Sequence, residues 1–333
     1  MKTVLGIDVG GANLKFADTD RNSLSVEFPL WKYPDDLASR LSQSIAQFKS
    51  PDAIAVVMTG ELADCFIDRQ LGVKHIVEQA RNAAKECHVD RCYFYATDNL
   101  FREEVRLDVD SDRLAAANWH ALACYVAAKV CPIGLLVDIG STTTDVIPLD
   151  DGHVATRAMT DYDRLCEGSL IYVGCRRTPV CAICDSLWLQ GKQVPLMNEV
   201  FATTDDARIL LGSQPESPDD CESADGKPRT RLFAANRIAR TIGLDRRSVT
   251  VEQATELAEQ VVASAKGRIA EPISQWAETQ DGKTKTIVLS GHGDDLLTPP
   301  PETQVISLPQ LWGRSLSRCA PAYAVARLLK DFR

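Results

Sequence analysis

Short apolar runs bounded by glycine, proline or charge alternate along this chain with stretches whose apolar residues recur every three to four positions. The runs predict strands over 3–9, 14–18, 25–30, 53–58 and 91–96. Helical periodicity between them predicts helices over about 34–48 and 73–87 and a long one over 111–130. A new apolar run over 133–139 lies between Pro132 and Gly140, and strands are expected to follow over 144–149 and 153–158. Residues 211–230 turn polar and proline-rich, which predicts a mobile loop. A helix resumes near Arg231 and stops around Gly243. The next opens with Thr250 and Gln253 spaced as a capping box, buries Ala254, Leu257, Ala258, Val261, Val262 and Ala265, and should kink or end at Pro272. A last strand over 286–289 and a closing helix over 320–332 complete an α/β chain with a mixed sheet.

The pattern repeats itself once. Gly6-Ile7-Asp8-Val9-Gly10-Gly11 lies over Leu136-Val137-Asp138-Ile139-Gly140-Ser141, so that Asp8 falls on Asp138 and Gly10 on Gly140. Each copy is an apolar strand ending in Asp, a turn of small residues and a second strand, which predicts two duplicated halves facing one another. Length agrees, since 333 residues suit roughly two domains at about 150 residues each.

Charge and cysteine usage narrow the function classes. A formal net charge of -9 repels phosphate backbones at long range and argues against a nucleic-acid partner. The 11 cysteines follow no secretory leader, so they are expected to be reduced in a cytoplasmic protein. The longest apolar stretch carries Asn118, His120, Lys129 and Pro132, which argues against a membrane span. Cys181-x-x-Cys184 with Cys166 and Cys175 upstream has some zinc character. The wide gap between Cys166 and Cys175 and the length of the chain make zinc unexpected.

A strand-end Asp followed by Gly-Gly or Gly-Ser places backbone N–H groups where an anion can approach, and the carboxylate itself is suited to a hydrated Mg²⁺. Asp8, Asp138 and Asp145 are therefore candidate metal ligands, with Gly10, Gly11, Asn13, Lys15, Gly140, Ser141, Thr142, Thr143, Gly291 and Gly293 around a phosphate. Thr144 belongs to the same threonine string, although threonine is also a favoured strand residue. Glu61 and Asp64 follow a strand at Thr59-Gly60; one of them is a candidate general base, or a helix N-terminal carboxylate. Asn118 either lines the cleft or is satisfied within a core helix.

Together Asp8-x-Gly10-Gly11, Asp138-x-Gly140-Ser141-Thr142-Thr143-Thr144-Asp145 and Ser290-Gly291-His292-Gly293 resemble the superfamily of sugar kinases, Hsp70 and actin, and its hydantoinase/oxoprolinase branch in particular. Longer strings extend the resemblance to the tetrahydromethanopterin-linked C1-transfer pathway proteins: 58–66, Ala116-Ala117-Asn118-Trp119, Tyr172-Val173-Gly174-Cys175-Arg176-Arg177-Thr178-Pro179-Val180 and Ala224-Asp225-Gly226-Lys227-Pro228. The resemblance implies two actin-like ATPase domains of ribonuclease H-like fold, 1–131 and 132–333, facing a central cleft. A substrate or lid segment would be inserted over about 160–245, and the C-terminal helix would pack back on the first domain. It also implies a transferase of methanofuran-type cofactor assembly, joining the phenol of γ-glutamyltyramine to an aminomethylfuran diphosphate. Asp8, Asp138, Glu61 and Asp64 would be catalytic, and Asn118, Arg176, Arg177, Asp225 and Lys227 would bind substrate. Mg²⁺ is the expected cofactor and a homodimer the expected assembly. The alternative that the wider superfamily implies is an ATP-dependent small-molecule kinase or hydrolase.

Overall fold

Residues 4–9 and 134–139 are apolar enough to be covered on both faces, and each becomes the central strand of a sheet. The computed structural model describes residues 2–280 and 285–332; Met1, 281–284 and Arg333, which the expected domain ranges include, lie outside the described residues. The first sheet is built from β1 (Val4–Val9), β2 (Asn13–Asp18), β3 (Ser23–Glu27), β4 (Ala53–Met58), β5 (Cys92–Tyr95) and β6 (Phe101–Arg102), in the order β3-β2-β1-β4-β5-β6. The second contains β7 (Gly134–Ile139), β8 (Thr144–Asp150), β9 (His153–Val154) and β10 (Leu170–Ile171). A separate hairpin, β11 (Ser186–Leu189) with β12 (Lys192–Pro195), precedes β13 (Thr286–Gly291) and β14 (Gln304–Ser307). The second sheet runs β10-β8-β7-β13-β14, with β9 beside β8.

The two sheets share one plan. β1 pairs antiparallel with β2 and parallel with β4, while β7 pairs antiparallel with β8 and parallel with β13. Registers repeat as well: Asp8 faces Lys15 and Asp138 faces Asp145 across their hairpins. Asp8 and Asp138 are thus equivalent, and so are Lys15 and Asp145. The α/β class with mixed, duplicated sheets is borne out.

Eleven helices are found among the described residues: α1 (Leu37–Ile45), α2 (Arg69–Glu86), α3 (Leu107–Leu114), α4 (Asn118–Lys129), α5 (Asp161–Glu167), α6 (Thr204–Leu211), α7 (Arg231–Arg240), α8 (Val251–Glu278), α9 (Leu308–Trp312), α10 (Arg314–Arg318) and α11 (Ala320–Asp331). Val325, Ala326 and Leu329 of α11 are buried with Val4, Ala53, Ala55 and Val57 of the first sheet and with Ala117 and Ala121 at the start of α4. Each such valine or leucine contributes about 1.5–3 kcal/mol when fully covered.

Several expectations are corrected. The helix expected over 111–130 is two helices, because Ala115 is extended and Ala116 is left-handed at φ 47°. A left-handed alanine costs about 1–2 kcal/mol, so the surroundings must hold it there. Pro272 does not end α8, which runs on to Glu278 behind the capping box of Thr250 and Gln253. Ile269, Ile273 and Ala277 continue its buried stripe past the proline, and that burial offsets the lost backbone bond. The strand expected over 153–158 is only two residues long, and β14 follows the strand expected to be last. The segment 211–230 is not a free loop. Arg229 donates to Asp205 at 2.6 and 2.7 Å and to Asp220 at 2.7 Å, clasping it onto α6. No helix among the described residues is long and apolar enough to cross a membrane.

Candidate active site

Both Asp-ended hairpins turn toward one cleft of about 570 Å³ between the sheets. That volume suits a small-molecule ligand. In the first turn the N–H of Gly10 donates to Asn13 O at 3.0 Å, and in the second the N–H of Gly140 donates to Thr143 O at 2.9 Å. Equal closure leaves both turns facing the space between them. Asp8, Gly10, Gly11, Asn13 and Lys15 line it from one side, and Asp138, Gly140, Ser141, Thr142, Thr143 and Asp145 from the other.

Charge differs between the two hairpins. Lys15 Nζ lies 3.8 Å from Asp8 Oδ2, while Asp8 Oδ1 has no hydrogen-bond partner among the described residues. Burial pushes the Asp8 carboxyl above its ordinary value, and Lys15 opposes the rise. Burial, with Asp145 nearby, pushes Asp138 up to about 6. Asp145 stands where Lys15 stands in the first hairpin, and its carboxylate receives the guanidinium of Arg164. This ion pair occupies one oxygen of the expected metal ligand Asp145. Among the described residues no group of three or more His, Cys, Asp or Glu is placed to hold a metal ion.

Arg164 had no signal in the sequence. It sits on a helix of only seven residues, too short for periodicity, whose Thr160 N-cap accepts from the N–H of Asp163. The side chain is buried, its carbon Cζ lies 4.1 Å from the centre of the Trp119 ring, and Asp161 approaches at 3.7 Å. Arg164 Nε and Trp119 Nε1 are both buried without partners among the described residues, and both residues line the cleft. Unpartnered buried donors are costly unless a ligand or water completes them.

The helix break gives the cleft its third wall. Ala116, Asn118 and Trp119 line it, so α4 begins there and presents its positive end. Asn118 Oδ1 accepts from the N–H of Trp119 at 2.7 Å. Glu61 packs behind this wall, buried, with Oε2 unpartnered among the described residues. Burial, with Asp161 nearby, raises its carboxyl to about 7. Asp64 is exposed and lines the cleft itself.

Of the two candidate arginines only Arg177 lines the cleft. Its Nε donates to Thr142 Oγ1 at 3.0 Å and its Nη2 to Ser141 Oγ at 3.3 Å; it makes no ion pair among the described residues, and burial lowers its pKa. Gly174 lets this loop press on the turn, because a Cβ there would fall 2.5 Å from the Thr142 backbone. Arg176 is instead held by Asp220 at 3.1 Å and Glu222 at 2.8 Å.

Other expected ligands lie elsewhere. Asp225 accepts from the buried Arg237 at 2.9 Å and from Arg240 at 3.3 Å, and neither it nor the exposed Lys227 is among the residues lining the cleft. Thr144 is buried and donates its hydroxyl to Val173 O at 2.7 Å. Gly291 and Gly293 form the floor behind the cleft: Gly291 has φ 86°, and a Cβ on it would lie 2.2 Å from Ile139 O and 2.9 Å from Asp138 Oδ1. Neither is among the residues lining the cleft: Gly291 lets β13 approach Asp138 closely, and Gly293, where a Cβ would fall 2.4 Å from the Ile139 side chain, packs against Ile139 and Cys175. His292 between them is held neutral, its pKa driven down to about 3 by burial and by Lys15. Cys175 and Cys184 are buried in the core beneath α6 and α8, whereas Cys166 is exposed.

Comparison with known proteins places this architecture. The hydantoinase/oxoprolinase family model matches residues 52–331. The (4-{4-[2-(gamma-L-glutamylamino)ethyl]phenoxymethyl}furan-2-yl)methanamine synthase of Methanocaldococcus jannaschii is 31% identical over 331 residues, covering 98% of this chain and 97% of the relative. A protein of the same name from Methanococcus vannielii is 30% identical over 214 residues, or 62% of this chain and 95% of that one. Among solved structures, nucleotide-free acetone carboxylase matches with a TM-score of 0.50 at 11% identity, covering 97% of this chain and 70% of that one, a likeness of fold.

Proposed function

The chain belongs to the hydantoinase/oxoprolinase family, and from that premise we propose that it is a diphosphate-releasing synthase of methanofuran-type cofactor assembly. The observation that carries the reading is the near-complete match to the M. jannaschii synthase, whose name describes a phenoxymethylfuran product. A phenoxymethyl ether is made when a phenol oxygen attacks the methylene carbon of a furan-bearing diphosphate. The new C–O bond forms, the old one breaks, and its electron pair departs on the diphosphate. The phenol proton passes to a base.

The residues lining the cleft support this reading. Charge grows on the leaving diphosphate, and donors fixed in advance stabilise growing charge best. Lys15, Arg177, the N–H groups of the two turns and the start of α4 are such donors, all lining one space. The unpartnered Oδ1 of Asp8 and the raised pKa of Asp8 and Asp138 fit a cation held between two carboxylates. Mg²⁺ there would retain water or phosphate oxygen over most of its shell and would neutralise diphosphate charge. Asp64, the cleft-lining member of the pair Glu61 and Asp64, is the residue we assign to take the phenol proton.

Incubation with γ-glutamyltyramine and the aminomethylfuran diphosphate should yield the ether by mass spectrometry, together with one diphosphate per ether. Asp64→Asn should lower turnover about 10²-fold or more. Loss of γ-phosphate from Mg-ATP, with no ether formed, would overturn the reading in favour of an ATP-dependent enzyme.

A further inference from the structure

The cleft changes character from floor to mouth. At the floor stand the buried Asp8 and the polar turns; along the inner wall lie Trp119, Leu170 and Pro321, all buried. At the mouth three large apolar side chains remain open to solvent: Trp31 at 39%, Leu62 at 54% and Tyr172 at 65% exposure. Exposed aromatic surface in a cleft is the kind of apolar patch that marks a ligand subsite.

Backbone bonds fix where two of these side chains stand. Trp31 follows Leu30, whose N–H donates to Gly11 O at 2.9 Å, so the indole is tethered beside the first phosphate turn. Tyr172 follows Ile171, which pairs with Thr144 at the end of β10, so the phenol ring is tethered beside the second. Each turn therefore has an aromatic residue tethered beside it, Trp31 in the segment after β3 and Tyr172 directly after β10. Leu62 enters from the loop after β4, beside the base Asp64.

We infer that Trp31 and Tyr172, with Leu62, form the acceptor subsite at the cleft mouth, where they hold the ring of a para-substituted phenol. The inference rests on the synthase reading and deepens it. A diphosphate at the floor leaves its methylene and furan against the inner wall of Trp119, Leu170 and Pro321. A phenolic acceptor must reach that methylene from outside while its charged γ-glutamyl tail stays in water. Its ring then falls at the mouth, where flat π surfaces from both halves can contact it and Asp64 can reach the hydroxyl. Aromatic pairs favour offset or edge-on contact, which two separate rings can provide without a closed pocket.

Two measurements test it, one independent of turnover. Saturation-transfer NMR with γ-glutamyltyramine should show ring contact with the wild-type protein that is strongly weakened in Trp31→Ala and in Tyr172→Ala, and retained in Trp31→Phe and Tyr172→Phe. In the assay each alanine variant should raise KM for the phenol about tenfold. The affinity for inorganic pyrophosphate by calorimetry should stay unchanged, which also reports that the variants are folded. Unchanged phenol contact and KM in both alanine variants would overturn the subsite even if the ether forms. Parallel loss of pyrophosphate binding would also overturn it, since the rings would then support the floor. If the wild type forms no ether yet its phenol contact depends on both rings, the synthase reading fails and the subsite stands.

Discussion

The two hairpins at the cleft have the same backbone and opposite chemistry. In both, an Asp ends a central strand and a tight turn closes with one N–H···O bond of 3.0 or 2.9 Å. At the equivalent position opposite that Asp, the first hairpin carries Lys15 and the second Asp145. The second half restores a cation by bringing Arg164 from α5, a helix placed between β9 and β10. Beyond the following strands the halves differ again: Asp295 is clasped by Arg208 at 2.7 Å, whereas Glu61 is buried with an unpartnered oxygen. The two hairpins share the shape of the clamp. The charges differ: one half sets the ammonium of Lys15 3.8 Å from Asp8, and the other sets Asp145, paired with Arg164, opposite Asp138.

The sharpest way to break this comparison is to remove the borrowed cation. Arg164→Met should destabilise the protein by about 3–5 kcal/mol in chemical denaturation, because Asp145 would be left unpaired beside Asp138. Lys15→Met, at the equivalent place, should cost less than that, since its ion pair is long at 3.8 Å and Lys15 itself is partly exposed, even though Asp8 is buried. Equal costs would mean that the two cations play the same structural part.

Asp8→Asn and Asp138→Asn should each reduce turnover about 10²- to 10³-fold with the fold intact by circular dichroism. Full turnover in either would show that one half suffices.

Glu61 gives a pH signature. Its folded pKa of about 7 lies above its ordinary value near 4.5, so the folded state binds the extra proton. The associated stability is present at low pH and is lost as pH rises through about 7, with a size of about 3 kcal/mol. Glu61→Gln should therefore gain stability relative to wild type between pH 5.5 and 8, measured by thermal melts. A constant difference would place a partner on Glu61. Smallest in effect, Lys15→Met should weaken inorganic pyrophosphate binding about tenfold by calorimetry, and more at low salt.

Much of this was legible in the chain. The 130-residue echo located both turns, because each central strand is a short apolar run ending in Asp and followed by small turn residues. The cleft-lining Asp8, Lys15, Asp138 and Thr142 followed from that echo. Arg164 was hidden because its position depends on a short helix and on a long-range pairing with Asp145, neither of which has a local pattern. The break at Ala116 was hidden because three alanines read as the best of helix formers, and only the packing of Glu61 and α11 around them overrules that preference. Asp225 and Lys227 are expected at the substrate because their string carries the family resemblance, whereas Asp225 pairs with the buried Arg237 and the partly exposed Arg240.

The left-handed turn at Ala116 also sets how the polypeptide tolerates change. An α-helix advances by about 100° with every residue, so rewinding α3 and α4 into one rod, or inserting a single residue between them, would swing Asn118 and Trp119 round the axis and away from the cleft. Three featureless methyl-bearing residues thereby act as the indexing pin of the molecule, and glycine at 116 is the one exchange that would ease the bend without shifting its bearing.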